Sequence, residues 1–269
     1  MNSNLFIKEI NLERKLIKDF NEYPFNIDFV KNLDKLIIDS PVTFIVGENG
    51  TGKSTFIEAL AVSCGLNPEG GTQNFMFSTK ETHSELYEYL KTNHFQRKCK
   101  TKFFLRAESF YNVITEIDNL RVGGYGNKSL HLCSHGESFI QLVQNRFTEN
   151  GLYILDEPEA ALSPSRQMSL LYLINQLVKD GSQFIIATHS PILISYRNGK
   201  ILDLGKNFKE VKYEDTEIYQ TYKMYLDRPY IMQEKLFDEN NEWWKNIQKL
   251  TIKIYWKGKQ TCSFYDIIK

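Results

Sequence analysis

Nine consecutive residues in this 269-residue chain have the make-up of a phosphate cradle. Gly47-Glu48-Asn49-Gly50-Thr51-Gly52-Lys53-Ser54-Thr55 fits the pattern G-x-x-x-x-G-K-[ST]. Glycines let the backbone wrap closely around an anion, so that successive N–H groups point at phosphate oxygens. Lys53 can reach the β- and γ-phosphates, and the Ser54 hydroxyl can ligate Mg²⁺. Two further segments carry complementary chemistry. Asp156 and Glu157 follow the apolar run Leu152-Tyr153-Ile154-Leu155, Asp156 as a Mg²⁺ contact and Glu157 as a base that polarises water. His189 follows Phe184-Ile185-Ile186-Ala187-Thr188, placed to reach a γ-phosphate. An acidic turn or a lone histidine at a strand end is commonplace; three such strand ends converging on one place predict a Mg²⁺–ATP site.

The elements that must position these groups can be read around them. Val42-Thr43-Phe44-Ile45-Val46 reads as a buried strand delivering the phosphate loop to a helix over 55–61, whose positive end faces the same anion. The runs before Asp156 and His189 read as buried parallel strands, and ligands in open α/β sheets bind outside the carboxyl ends of such strands. The helix between them, 165–179, carries Leu170, Leu171, Leu173, Ile174, Leu177 and Val178 as its apolar face. That spacing suits one strand–helix–strand unit. Upstream, 5–10 and 25–30 read as short strands, and 78–97 reads as a helix followed by a strand over 102–105 and a second helix near 109–119.

A fourth segment, Ser134-His135-Gly136-Glu137-Ser138, opens an amphipathic helix over 139–147 and stands seventeen residues before the acidic strand. Orphan N–H groups at a helix start, together with a serine hydroxyl, form an anion site; Ser134 or Ser138 could equally be a plain N-cap. The segment resembles the LSGGQ signature of ABC-type ATPases, with His135 in place of the first glycine. With it, the chain from about 20 to 205 is similar to the compact bacterial ABC-type ATPases labelled AAA family, of the structural-maintenance-of-chromosomes and RecF branch. The segments Asp156-Glu157-Pro158-Glu159-Ala160-Ala161-Leu162-Ser163-Pro164 and Ala187-Thr188-His189-Ser190-Pro191 share in that likeness. The resemblance implies that Glu157 is the hydrolytic glutamate, His189 the switch histidine, and 161–164 the loop that communicates across a dimer. It implies a homodimer formed on ATP binding, in which Ser134, Gly136 and Glu137 of one copy meet the γ-phosphate held by the other. The metal-touching glutamine of the pattern is missing; Glu108 and Gln73 are the stand-ins. Tyr23 or Phe25, ahead of the phosphate loop, could stack on a base or belong to a small-sheet core.

The expected fold is α/β: an ABC-type P-loop ATPase head with a mostly parallel core sheet, a small antiparallel N-terminal β subdomain and a helical signature lobe. The expected boundaries are 1–242 for the ATPase domain, with the lobe inserted at 62–147, and 243–269 for a basic-aromatic tail. No heptad repeat supports a coiled-coil arm. No apolar run approaches the roughly twenty residues of a membrane span. The N-terminus lacks a signal peptide's apolar core, and four cysteines without paired metal spacing suit reduced thiols in a cytoplasmic protein. Basic and acidic residues balance at 33 each, so no global field favours nucleic acid. Two local basic groups could: His94, Arg97, Lys98, Lys100 and Lys102, and a tail mixing Trp243, Trp244, Tyr255, Trp256 and Tyr265 with six lysines. A solvated helix end and a closing strand pair are their plainer readings. The functions open at this level are an ATP-driven clamp or switch acting on DNA or a partner protein, in genome maintenance or phage defence; a transporter's nucleotide-binding subunit; and a nucleotide-gated scaffold.

Overall fold

The computed structural model describes residues 5–71, 84–110 and 134–238. Gln73, the helix near 109–119 beyond residue 110 and the tail after 238 lie outside the described residues. The chain divides into two compact units: 1–47 with 51–211, and 48–50 with 212–269.

The first unit carries two sheets. Among the described residues, strands β1 (Ile7–Leu12), β2 (Lys35–Ile37), β3 (Val42–Val46), β4 (Leu90–His94), β5 (Thr101–Arg106), β6 (Gly151–Asp156), β7 (Gln183–Ala187), β8 (Lys200–Asp203) and β9 (Lys209–Glu210) alternate with six α-helices. These are α1 (Asp28–Asn32), α2 (Lys53–Ser63), α3 (Leu86–Tyr89), α4 (His135–Arg146), α5 (Pro164–Lys179) and α6 (Pro191–Ile194). The large sheet has the order β5-β6-β7-β3-β8-β9, parallel except for β9. Every residue of β3, β6 and β7 is buried, as expected of strands covered on both faces. Their apolar runs are continuous for that reason. The register aligns Arg106 with Asp156 and Asp156 with Ala187, so β5, β6, β7 and β3 end side by side.

The small sheet, in the order β2-β1-β4, is antiparallel. It corrects two sequence expectations. The stretch 25–30 is not a strand: it leads into α1, where Asp28 occupies the first turn and Phe29 and Val30 are buried. An acid at a helix start is favoured by the dipole, and the edge of β1 is already taken by β2. Nor does one helix run through 78–97. Within the described residues the helical turn α3 gives way at Leu90 to β4, which pairs with the other edge of β1. Leu86, Tyr87 and Leu90 fit a helical face, but Leu90 is buried in a sheet instead, since pairing outweighs local propensity.

The two sheets are tied by one buried side chain. Gln183, fully buried at the start of β7, accepts from the N–H groups of Phe6 and Ile7 at 2.7 and 2.9 Å and donates to Ile7 O at 3.1 Å. This happens where the β1–β4 register slips between Ile7 and Glu9, leaving β1 backbone without a regular partner. Gln183→Leu would strand three polar groups in the core. It is expected to lower unfolding stability by about 3 kcal/mol, read by urea denaturation, without touching the strand ends on the far side of the sheet.

Phe29 packs edge-on against Phe56 of α2 and against Phe208, at 5.7 and 5.8 Å, and Phe56 lies tilted against Phe208 at 4.8 Å. Phe147 stacks on Tyr153 at 4.0 Å, and Tyr153 in turn lies 5.0 Å from Phe184. In the second unit, Thr216 caps α7 (Glu217–Asp227), which precedes α8 (Pro229–Phe237). Among the described residues no helix is long and apolar enough to cross a membrane.

Candidate nucleotide site

The phosphate loop leaves β3 at Gly47 and reaches α2 through Gly52, whose φ of +94° puts it in the left-handed region. A Cβ there would lie 2.8 Å from the Phe29 ring and 2.9 Å from Ile27 Cγ2, so glycine is required twice over. Lys53 is buried, and its Nζ donates to Gly47 O at 2.9 Å, curling back over the loop. Ser54 Oγ donates to Asp156 Oδ1 at 3.4 Å. Gly47 and 51–55 belong to the first unit with the groups that follow; Glu48, Asn49 and Gly50 belong to the second.

Asp156 ends β6 with 3% exposure. Burial pushes its carboxyl up to about 7; the Arg106 charge pulls it down, and Glu157 pushes it further up. Glu157 has a φ of +48°, rare for a residue with a side chain, and its N–H donates to Ala187 O at 2.9 Å. That turn leaves its carboxylate 3.8 Å from His189 Nε2. Burial and the Lys53 charge hold the His189 ring below its ordinary value and favour its uncharged form, opposed by Glu157. Its Nε2 is buried and has no hydrogen-bond partner.

The histidine's backbone is locked from beneath. Glu159, two residues beyond Glu157, accepts from Thr188 Oγ1 at 2.7 Å and from the His189 N–H. Ser190 Oγ donates to Gln167 Oε1, and Gln167 Nε2 donates to Leu162 O at 3.0 Å. One glutamine on the first turn of α5 thus joins the histidine loop to the 161–164 loop. Its neighbour Arg166 reaches the other way: Nη1 donates to Ser134 Oγ at 3.2 Å and Nη2 to Glu137 Oε1 at 2.9 Å. Ser134 and Glu137 form a capping box at the start of α4, with the Ser134 N–H donating to Glu137 Oε2 at 3.0 Å. Gly136 has no room for a Cβ, which would sit 2.8 Å from Arg166 Nη1 and 3.0 Å from Ala161 O. The Ser134 backbone and side chain both hydrogen-bond to the Glu137 carboxylate, which holds its pKa below the ordinary value.

Sequence reading brings Lys53, Ser54, Asp156, Glu157 and His189 together, and the structure places them on adjacent strand ends. Ser134, Gly136 and Glu137 lie apart, at the start of α4. Glu108 is 81% exposed and pairs with Arg106 at 3.4 Å, and Arg106 itself stands 3.5 Å from Asp156. Arg106, Glu159, Arg166 and Gln167 were not singled out from the sequence. Their signal was adjacency alone: each lies within four residues of a motif residue or strand end. Tyr23 is 64% exposed with its hydroxyl 3.3 Å from Thr55 Oγ1, whereas Phe25 is core, edge-on to Tyr89.

Part of the basic group in the insertion is tied into the fold, while His94, Lys98 and Lys100 are exposed. Arg97 lies over the Phe6 ring and donates to Gly181 O at 3.1 Å, Lys102 donates to Cys64 O, and Lys100 pairs with Glu149. No group of three or more His, Cys, Asp or Glu that could hold a metal occurs among the described residues. A Mg²⁺ bound with a triphosphate does not require one, because a hydroxyl and a carboxylate supplement phosphate oxygens and water. Ser54 and Asp156 supply that pair, and the unsatisfied His189 Nε2 marks where a further polar group fits.

Residues 121–194 match the model of the AAA ATPase domain family. The chain is 23% identical over 201 residues to an uncharacterized ABC transporter ATP-binding protein of Haemophilus influenzae, spanning 66% of this chain and 75% of that protein. It is 24% identical over 233 residues to the energy-coupling factor transporter ATP-binding protein EcfA2 of Mycoplasmopsis pulmonis, spanning 71% and 73%. Among solved structures it is similar to the SMC head domain from Thermotoga maritima, with 16% identity, 73% and 94% coverage and a TM-score of 0.38. It is also similar to cbiO1 from Clostridium perfringens, with 16% identity, 84% and 96% coverage and a TM-score of 0.41. With the phosphate loop leaving the fourth strand of a β5-β6-β7-β3-β8-β9 sheet beside the acidic and histidine strands, the fold is an α/β P-loop arrangement, and the chain is similar in sequence to ATP-binding proteins of the ABC type.

Proposed function

We propose that the chain binds ATP with Mg²⁺ and hydrolyses it between two copies arranged head to tail. The observation that carries this reading is the meeting of Glu157 with the buried, unpartnered Nε2 of His189 at 3.8 Å, beside Lys53 and Asp156. Lys53 would leave Gly47 O for the β- and γ-phosphate oxygens. Ser54 and Asp156 would hold Mg²⁺, which offsets charge on the leaving and transferred phosphoryl groups. Glu157 orients the attacking water and accepts its proton, while the neutral His189 donates or accepts one hydrogen bond at the γ-phosphate. Ser134 and Gly136 of the second copy supply the remaining donors, so the γ-phosphate is enclosed only when two copies meet. The exposed Tyr23 ring offers a stacking face to the base.

Two settings suit such an engine. Similarity to ABC and energy-coupling factor transporter ATP-binding proteins favours the ATP-binding subunit of a transporter. The clamp or switch of the structural-maintenance-of-chromosomes and RecF branch, acting on DNA or a partner protein, rests on motif likeness alone, and Arg97 and Lys102 of the insertion are tied to Gly181 O and Cys64 O. Steady-state phosphate release tests the shared activity. Turnover is expected to require Mg²⁺ and, below the dimerisation constant, to rise with the square of protein concentration. Linear dependence down to nanomolar protein would overturn the two-copy reading.

A further inference from the structure

The guanidinium of Arg106 sits among three carboxylates at the mouth of β5. Nη1 lies 2.8 Å from Glu58 Oε2, Nη2 lies 3.4 Å from Glu108 Oε2, and Nε lies 3.5 Å from Asp156 Oδ2. Strand register sets this arrangement, because Arg106 is the residue directly opposite Asp156. One of these contacts is a firm anchor, and the other two are looser ion pairs. The Glu58 contact is a hydrogen bond, whereas Nε is buried and makes none. Asp156 therefore has one oxygen facing the Ser54 hydroxyl and the other facing a buried donor held just beyond bonding distance. A buried N–H of a charged group is rarely left unsatisfied unless another occupant completes it.

Electrostatics give this placement a consequence. A cation fixed within 4 Å of Asp156 stabilises the ionised carboxylate when nucleotide is absent. The same cation repels a divalent ion drawn to that carboxylate, and it attracts phosphate oxygens. A neutral amide at the strand end would do neither.

We propose that Arg106 is a resident cation of the nucleotide site, competing with Mg²⁺ for Asp156 and attracting phosphate oxygens through its charge. The inference rests on the reading of this site as the ATP site and deepens it. The chain is expected to bind ATP without metal more tightly than a site lacking the arginine, and to need more Mg²⁺ to load fully.

The test measures two equilibria on the full chain. ATP binding is followed by calorimetry in EDTA. Mn²⁺ binding to the protein with a non-hydrolysable ATP analogue is followed by electron paramagnetic resonance. Arg106→Gln is expected to weaken metal-free ATP binding by roughly tenfold while tightening Mn²⁺ by about threefold or more, the two shifts having opposite sign. Arg106→Lys keeps the charge and should retain most of the metal-free binding. A merely structural arginine would weaken both equilibria together or neither, and either result overturns the proposal. Should Arg106→Gln fail to fold, the wild-type protein still decides: metal-free ATP is expected to bind within about tenfold of Mg²⁺–ATP, and a gap of a thousandfold refutes the resident cation. A wild-type chain that binds no ATP under either condition overturns the site itself, a separate failure from unchanged affinities in the variant.

Discussion

Glu157→Gln is expected to stop turnover while leaving ATP bound, so that a stable ATP-loaded dimer accumulates. The reason lies in what an amide cannot do. Glutamine matches glutamate in shape and keeps the hydrogen-bonding reach toward water, but it cannot take the water's proton. General-base catalysis typically contributes about 10²–10⁴-fold, so phosphate release should fall by at least 10²-fold. Affinity for ATP should stay within about threefold, since Glu157 is 38% exposed and its expected role is in the transition state rather than in holding the phosphates. Removing the carboxylate also takes away one negative charge beside the incoming triphosphate. Light scattering coupled to gel filtration should show a dimer with ATP and Mg²⁺ and a monomer with ADP. A variant that hydrolyses at more than a tenth of the wild-type rate would place the base elsewhere, with Glu159 the next carboxylate. Glu159 is a weaker candidate because both its oxygens are engaged, by Thr188 and by the His189 backbone.

Lys53→Ala should remove nucleotide binding itself. The ammonium is buried at the loop and bonded to Gly47 O, a contact whose other role is to shape the empty loop. Deleting it withdraws the cation nearest the predicted phosphate position from a site that already holds Asp156, Glu157 and Glu159. Calorimetry should show at least a hundredfold loss of Mg²⁺–ATP affinity, about 2.7 kcal/mol. Stability should change little, because the lost hydrogen bond is offset by freeing a buried charge from desolvation. Undiminished binding would mean that the loop is a glycine turn without a phosphate to hold.

The core sheet was legible because its strands are covered on both faces: Val42 to Val46, Leu152 to Leu155 and Phe184 to Ala187 are continuous apolar runs, and each ends in chemistry. Parallel strands joined by a helix of the right length have little freedom in where their ends fall. The small sheet was harder. Its strands are short and half exposed, and Phe25 to Val30 or Leu86 to Leu90 satisfy helix and strand periods alike. What decides between them is which edge of β1 is free, a long-range fact no local window contains. The charged partners were hidden for a related reason. Arg106 matters because it lies opposite Asp156, fifty positions away, and Arg166 because the first turn of α5 lies against the start of α4. Gln183 carries no motif at all; its role comes from a register slip on a different sheet.

The account as a whole depends on sites shared between copies, and mixing two disabled chains measures that directly. Lys53→Ala cannot load its own site, and Ser134→Arg blocks the surface it lends to its partner; each variant alone should be inactive. Mixed in equal amounts, half the dimers should pair the two and own one intact site, restoring about a quarter of wild-type phosphate release. A mixture as inactive as its parts, or a Ser134→Arg chain that turns over normally on its own, would contradict the shared site.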